Sequence, residues 1–248
     1  MRVNNSGFTL IELVIVIIIL SAIGIATSSY ITTGVSIYTD ISERDKALNS
    51  TRFVMERLRR EVLNALPNSL VVSADKKCLT FTPIIATSIY GYDFPISPVS
   101  ASRANIAKVT LLNNETIKVN DRAVVYLLDA SELTPALASS PRKLHAIESI
   151  NNGTIIFKNN QNVSFTLSSP SKRLYIIRDT VQYCFSGNNL FFTKNTQARV
   201  LMANNINGEF EIALPTLQRN GLAKVTFMLN FDGQAVPIEQ TLHVNNVP

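Results

Sequence analysis

Residues 8–26 constrain this chain more than any other stretch: they hold the run Leu13-Val-Ile-Val-Ile-Ile-Ile-Leu20 and a single charged residue, Glu12. A helix over them, rising ~1.5 Å per residue, is about 28 Å long, close to the hydrocarbon thickness of a bilayer. No further charge occurs until Asp40, so the segment reads as membrane-spanning. An ordinary secretory signal puts basic residues first, then a shorter apolar core, then small residues at the cut. Here Ser6-Gly7 stands ahead of the apolar run, and a cut there leaves the helix on the chain. Arg2, the one charged side chain before the run, predicts a cytoplasmic amino terminus with the bulk of the chain outside. Glu12 is the oddity, because an unpaired carboxylate at membrane depth costs on the order of 3 kcal/mol. Either it is hydrated at the interface or it has a partner of opposite charge.

The remainder narrows the function classes. In 248 residues, 46% hydrophobic and 17% charged, there is enough apolar mass for a sizeable core, which excludes a disordered chain. The net charge of +5 is spread along the sequence without a run of five basic residues, so nucleic acid is not an expected partner. Cys78 and Cys184 are too far apart in sequence for a CxxC pair or a zinc module. They form one disulfide or remain two thiols. No GxSxG, GxxxxGK[ST], HExxH or DxDxDG pattern occurs, so no catalytic residues, metal or cofactor are expected and the chain is not read as an enzyme. His145 and His243 are expected to be solvated or capping groups, and Asp129 and Glu132 are isolated. The Asn-x-Ser/Thr triplets at Asn114, Asn152 and Asn162 matter only in a eukaryotic secretory pathway.

No proline precedes Pro67, so one helix is predicted to continue, as an amphipathic stretch, over residues 27–66. Its apolar stripe is Ile41, Leu48, Met55, Leu58, Val62 and Leu66, widened by Ala47, Thr51 and Val54, and it is expected to cover a sheet. The opposite face, with Arg52, Glu56, Arg57, Arg59, Arg60 and Glu61, is read as solvated, with Glu56 and Arg60 spaced for an ion pair. Gly24 and Gly34 are weak points where the helix can bend. Beyond Pro67 short runs rich in Val, Ile, Thr, Phe and Tyr predict an antiparallel, meander-like β system. Its candidate strands are 70–73, 78–84, 107–112, 123–128, 154–158, 163–167, 174–178, 181–185, 190–193, 199–202, 224–231 and 240–244. Residues 85–102, with Tyr90, Tyr92 and Phe94, and residues 130–144 read as long loops.

Gly7-Phe8-Thr9-Leu10-Ile11-Glu12-Leu13, with the aliphatic run after it, resembles the type III signal of type IV pilins and type II secretion pseudopilins. That resemblance implies a leader of residues 1–7, cut between Gly7 and Phe8 by a prepilin peptidase that methylates Phe8. It also implies a transmembrane helix over 8–26, its continuation over 27–66 and a periplasmic β-rich domain over 67–248, a pilin-like α+β fold with the helix packed on antiparallel sheets. Glu12 then pairs with the terminal ammonium of a neighbouring subunit. Arg59-Arg60-Glu61-Val62-Leu63-Asn64-Ala65-Leu66-Pro67-Asn68-Ser69, Cys78, Val181-Gln-Tyr-Cys184 and the final Asn246-Val247-Pro248 are similar to the large minor pilins related to type II secretion pseudopilin J. Ser29 stands where major pilins often have a kinking proline, and no cysteine pair lies near the carboxyl end.

The same resemblance implies a minor pilin of the bacterial inner membrane, single-pass, later incorporated in a pilus at or near its tip. Its implied partners are the peptidase, other minor pilins, the major pilin, the assembly platform and membrane lipid. A J-type secretion pseudopilin, or a tip module binding a surface, glycan or DNA through loops 85–102 and 130–144, are the alternatives. In an oxidising periplasm Cys78 and Cys184 are expected to be bridged.

Overall fold

Without a proline to interrupt it, the chain forms one unbroken helix, α1 (Leu10–Leu63), in a computed structural model that describes residues 9–112, 114–133, 142–213, 222–231 and 234–244. The chain divides into two compact units, Met1–Leu48 and Asn49–Pro248. In the first unit α1 passes through Gly24 and Gly34 without a break in its helical assignment. Its hydroxyl side chains turn back on the helix: Ser21 donates to the Ile17 carbonyl, Thr27 to Ile23, Thr33 to Ser29 and Thr39 to Ser36. Such bonds supply each hydroxyl with an acceptor inside the helix, so a stretch rich in Ser and Thr stays compatible with an apolar surrounding.

In the second unit the expected stripe is realised by Thr51, Val54, Leu58 and Val62, all buried on α1. Ile41 and Leu48 of the same sequence stripe lie in the first unit. The helix stops at Leu63, three residues short of the expected end. Backbone pairing with a strand takes over there: the Leu66 amide donates to the Thr82 carbonyl at 2.8 Å and the Ile84 amide to Asn64 at 3.0 Å. Pro67 also biases Leu66 away from helical dihedrals.

The described strands are, in chain order, β1 (Val71–Val72), β2 (Cys78–Phe81), β3 (Ile84–Ile89), β4 (Arg103–Asn105) and β5 (Thr110–Leu111). They continue with β6 (Arg122–Val124), β7 (Leu144–Asn151), β8 (Thr154–Phe157), β9 (Arg173–Ile177) and β10 (Val181–Ser186). The last are β11 (Asn189–Lys194), β12 (Val200–Asn204), β13 (Ile206–Ala213), β14 (Leu222–Phe231) and β15 (Gln234–His243). They make three sheets, ordered β1-β2-β10-β11-β12, β13-β14-β15 and β4-β8-β7-β6-β9-β3-β5, with every strand pair antiparallel. This is the α+β, pilin-like layout expected, but it is a meander only in part. β2 pairs with β10, and β9 inserts between β6 and β3.

One core joins α1 to the first two sheets: Val54, Leu58 and Val62 meet Leu79, Phe81, Tyr183 and Phe185, with Phe210, Val225 and Phe227 from the three-stranded sheet. Gly208 is obligatory in that core, since a Cβ there would stand 2.4 Å from the Thr226 carbonyl oxygen and 2.5 Å from the Phe185 ring. A second core, around Phe94, Ile147, Phe157, Phe165 and Ile176, belongs to the seven-stranded sheet.

Several expectations are corrected. Residues 85–102 are not one loop, because Ile84–Ile89 pairs with β9 and β5 as β3. Residues 163–167 form no strand; Val163 and Phe165 make only single bridges to Ala101, Ile96 and Arg142. β4, β7 and β13 are strands that the sequence pattern does not announce. Of the expected loop 130–144, Ala130–Leu133 is a 3-10 turn and residues 134–141 lie outside the described ones. Asn151-Asn152-Gly153 forms a turn: β7 and β8 are joined through Asn152 and Gly153, whose φ values of 47° and 76° suit a two-residue hairpin.

Candidate functional site

Gly7 and Phe8 lie outside the described residues. Thr9 opens α1, its carbonyl accepting from the amides of Glu12 at 3.1 Å and Leu13 at 3.3 Å. Glu12 therefore sits in the first helical turn, exposed, where the unsatisfied amides of a helix favour a negative charge. The apolar side chains after it, Leu13 to Leu20, are exposed as well, and the helix is long and apolar enough to cross a membrane. A bilayer is the medium in which such a surface is stable.

The helical part of the second unit is fixed to its sheet by a polar latch as well as by the apolar stripe. Arg57 Nε donates to Glu61 Oε1 at 2.8 Å, and the hydroxyl of fully buried Tyr183 donates to Glu61 Oε2 at 2.9 Å. The Arg57 guanidinium lies 4.6 Å from the centre of the Phe192 ring. Burial, and then the charge of Glu61, push the Tyr183 hydroxyl well above the usual tyrosine range, so it remains a donor at neutral pH. Arg57 and Glu61 are thus half-buried bridging groups rather than members of a solvated face. Glu56 matches that reading: it is exposed and accepts from Arg60 at 2.7 Å and from Arg59 at 2.9 Å. Those two hydrogen bonds pull its carboxyl down to about 2.

Cys78 and Cys184 are joined by a disulfide. They are direct partners across β2 and β10, with Cα atoms 4.1 Å apart. The flanking Phe185 amide donates to the Lys77 carbonyl at 2.9 Å, which leaves the cysteines at a close pair without backbone bonds, where side chains approach most nearly. With the cysteines 106 positions apart in sequence, replacing both by serine is expected to lower stability by about 4 kcal/mol by the chain-entropy argument. A urea unfolding midpoint unchanged from that of the oxidised chain refutes this.

Of the loop aromatics, Tyr90 and Phe94 are buried and stacked at 4.5 Å, holding the loop against the second core. Tyr92 is 97% exposed, with the Lys172 ammonium 3.0 Å from its ring centre. A row of three aromatics facing solvent, as a sugar platform requires, does not exist here. Sequence reasoning also missed an ion-pair centre at the end of β9. Arg178 grips Asp121 through Nε at 2.7 Å and Nη2 at 2.9 Å, and Glu115 through Nη1 at 3.0 Å. Asp121 is 1% exposed, and nothing in the spacing of the three residues announces the cluster. It pins the segment ahead of β6 to β9.

His243 is exposed; of the two roles expected, solvated or capping, His145 takes one nearer the second, partly buried against a backbone carbonyl. Its Nε2 lies 2.8 Å from the Ser164 carbonyl and its ring meets Phe165 edge-on at 4.8 Å. Burial first, then the charge of Arg142, holds its pKa below the ordinary histidine value. The folded state therefore favours the neutral ring. Its contribution is complete above the unfolded pKa, about 6.5, and is lost as pH falls through the folded value. Stability of the wild-type chain is expected to drop in that window, and His145→Phe to drop less; equal pH profiles disprove the assignment. Among the described residues no three His, Cys, Asp or Glu side chains come together as a metal site.

No curated protein and no solved structure matches the chain. Residues 2–28 match the family described as the prokaryotic N-terminal methylation motif, a stretch that includes Gly7, Phe8, Glu12 and the apolar start of the helix. The chain thus carries a motif that supports a type IV pilin-like prepilin signal.

Proposed function

We propose that this chain is a minor pilin that helps initiate assembly of a type IV pilus, within a priming or tip complex of minor pilins. The observation that carries the reading is the methylation motif placed at the start of a helix that runs on into a β-rich unit. An apolar helix that is never cut off holds the subunit in the inner membrane, and extraction into a filament buries the same surface against other helices. A β unit of this size, 200 residues in Asn49–Pro248, offers more distinctive surface than the helix does, which suits a subunit present in few copies and chosen by its neighbours. Within the class, the stretches Arg59–Ser69 and Val181–Cys184 and the final Asn246-Val247-Pro248 resemble the MshO protein of the mannose-sensitive haemagglutinin pilus, which supports a role of that kind. Its partners on this reading are the prepilin peptidase, the major pilin, the other minor pilins and the assembly platform.

The test is deletion of the gene, with counts of surface filaments and assay of secreted proteins. Loss of filaments restored by the full chain supports the reading. Normal filaments with failed secretion point to a J-type pseudopilin instead, and neither defect overturns an assembly role. Pull-down of the membrane-extracted chain with the products of adjacent genes identifies the neighbours.

A further inference from the structure

The three-stranded sheet ends at β15, a ten-residue strand with no partner on its outer side among the described residues. Hydrogen-bond parity fixes which backbone groups that side carries. On β13 the Ile206 amide donates to Asn188 and the Phe210 amide to Lys76, both away from β14. The odd residues of β13 therefore bond to Lys224, Thr226 and Met228 of β14, and the alternate residues of β14 bond to Val236, Ile238, Gln240 and Leu242 of β15. The open side is left with the N–H and C=O groups of Ala235, Glu239, Thr241 and His243, together with Pro237, whose missing N–H falls on this side as edge prolines do.

Two further observations mark the edge as unfinished. Val236 lies on the core-facing side, opposite buried Leu229, yet is 43% exposed. On the same side the Gln240 Oε1 atom is buried without a hydrogen-bond donor, an arrangement that is costly to leave unmade.

We propose that the outer edge of β15 receives an extended segment of a different chain as a fourth strand. The segment's apolar side chains cover Val236 and Ile238, and it sets a hydrogen-bond-donating side chain beside Gln240. A second copy of β15 fits poorly. In the two-fold register centred on Glu239 two carboxylates oppose each other, and in those centred on Ile238 or Gln240 a second Pro237 doubles the lost donors. A strand without proline loses one. The surface stands on this geometry; that its occupant is a neighbouring subunit rests on the assembly role proposed above.

The test uses the full-length chain in detergent micelles and, as probe, a capped nine-residue peptide alternating valine with threonine between terminal lysines. Residue-resolved amide exchange is measured with and without it. At saturating peptide the amides of Glu239, Thr241 and His243 are expected to slow by about tenfold or more, while those of Gln240 and Leu242, already bonded to β14, stay unchanged. Thr241→Pro removes an open-side donor and is expected to weaken peptide binding at least about tenfold, the worth of one or two such bonds. Val236→Lys, at a half-exposed position, serves where the proline variant fails to fold and is expected to show the same loss. Unslowed amides, binding retained in both variants, or slowing that grows with protein concentration without peptide, the mark of a second copy, overturns the proposal. Filament counts from the gene deletion decide the assembly role separately, so the two fail independently.

Discussion

A chain carrying Gly7→Val is expected to accumulate in the membrane with residues 1–7 attached and to enter no filament. Within the motif over residues 2–28, Gly7 stands between the polar stretch of residues 1–6 and the apolar run that begins at Phe8. A peptidase acting at that boundary has to bring its catalytic groups against the backbone of the scissile bond, and glycine is the residue that permits the closest approach. Valine's branched side chain stiffens the backbone and fills the space. The wild-type chain is expected to show an amino terminus at Phe8, raised in mass by one methyl group, and the variant an intact Met1. The effect is expected to be close to all-or-none, because on the proposed assembly role an uncut leader also denies the helix the terminal ammonium that would pair with Glu12. Assembled material that retains Met1 defeats the processing scheme.

Replacing Glu12 by leucine is expected to leave cleavage and chain level as in the wild type while reducing filament number at least about tenfold. Glu12 occupies the first turn of α1 and is absent from the cores of the second unit, so folding of that unit does not need it. Insertion becomes easier by on the order of 3 kcal/mol on translocation scales. On the proposed assembly role, what is lost is the countercharge for the ammonium of Phe8, its own or a neighbour's. At ~4 Å and an effective dielectric constant of ~20 such a pair is attracted by about 4 kcal/mol, and the attraction is present in only one register of subunit against subunit. A chain anchored by an ordinary helix predicts no defect. Equal chain levels with wild-type filament numbers in the Glu12 variant remove the residue from assembly.

Both expected effects depend on the part of the molecule most legible in sequence. A run of aliphatic residues broken by one carboxylate is local information, and so is the 3.6-residue spacing of Thr51, Val54, Leu58 and Val62, whose burial follows from periodicity alone. The hairpin at Asn152-Gly153 is legible for the same reason, since both residues accept positive φ. Strand assignment fails where the pattern and the pairing diverge. β13 contains Asn207-Gly208, which reads as a turn, yet Gly208 is a strand residue because the Phe185 ring and Thr226 carbonyl leave no room for a side chain. β7 carries His145, Glu148 and Ser149 among its apolar residues, so its alternation is blurred.

The sequence alone determined that the chain begins as an apolar helix bearing one carboxylate, that this helix continues into an amphipathic one, and that β-structure comes after Pro67. Each of these depends on residues within a few turns of one another. Only the tertiary structure decided that Cys78 stands opposite Cys184, that Glu61 receives Tyr183, that Arg178 holds Asp121 and that β15 is an open edge among the described residues. Those contacts join segments 57 to 122 residues apart, or, at β15, record which described strand has one described neighbour, not two. Such pairings are selected by the packing of whole sheets, which no local spacing encodes.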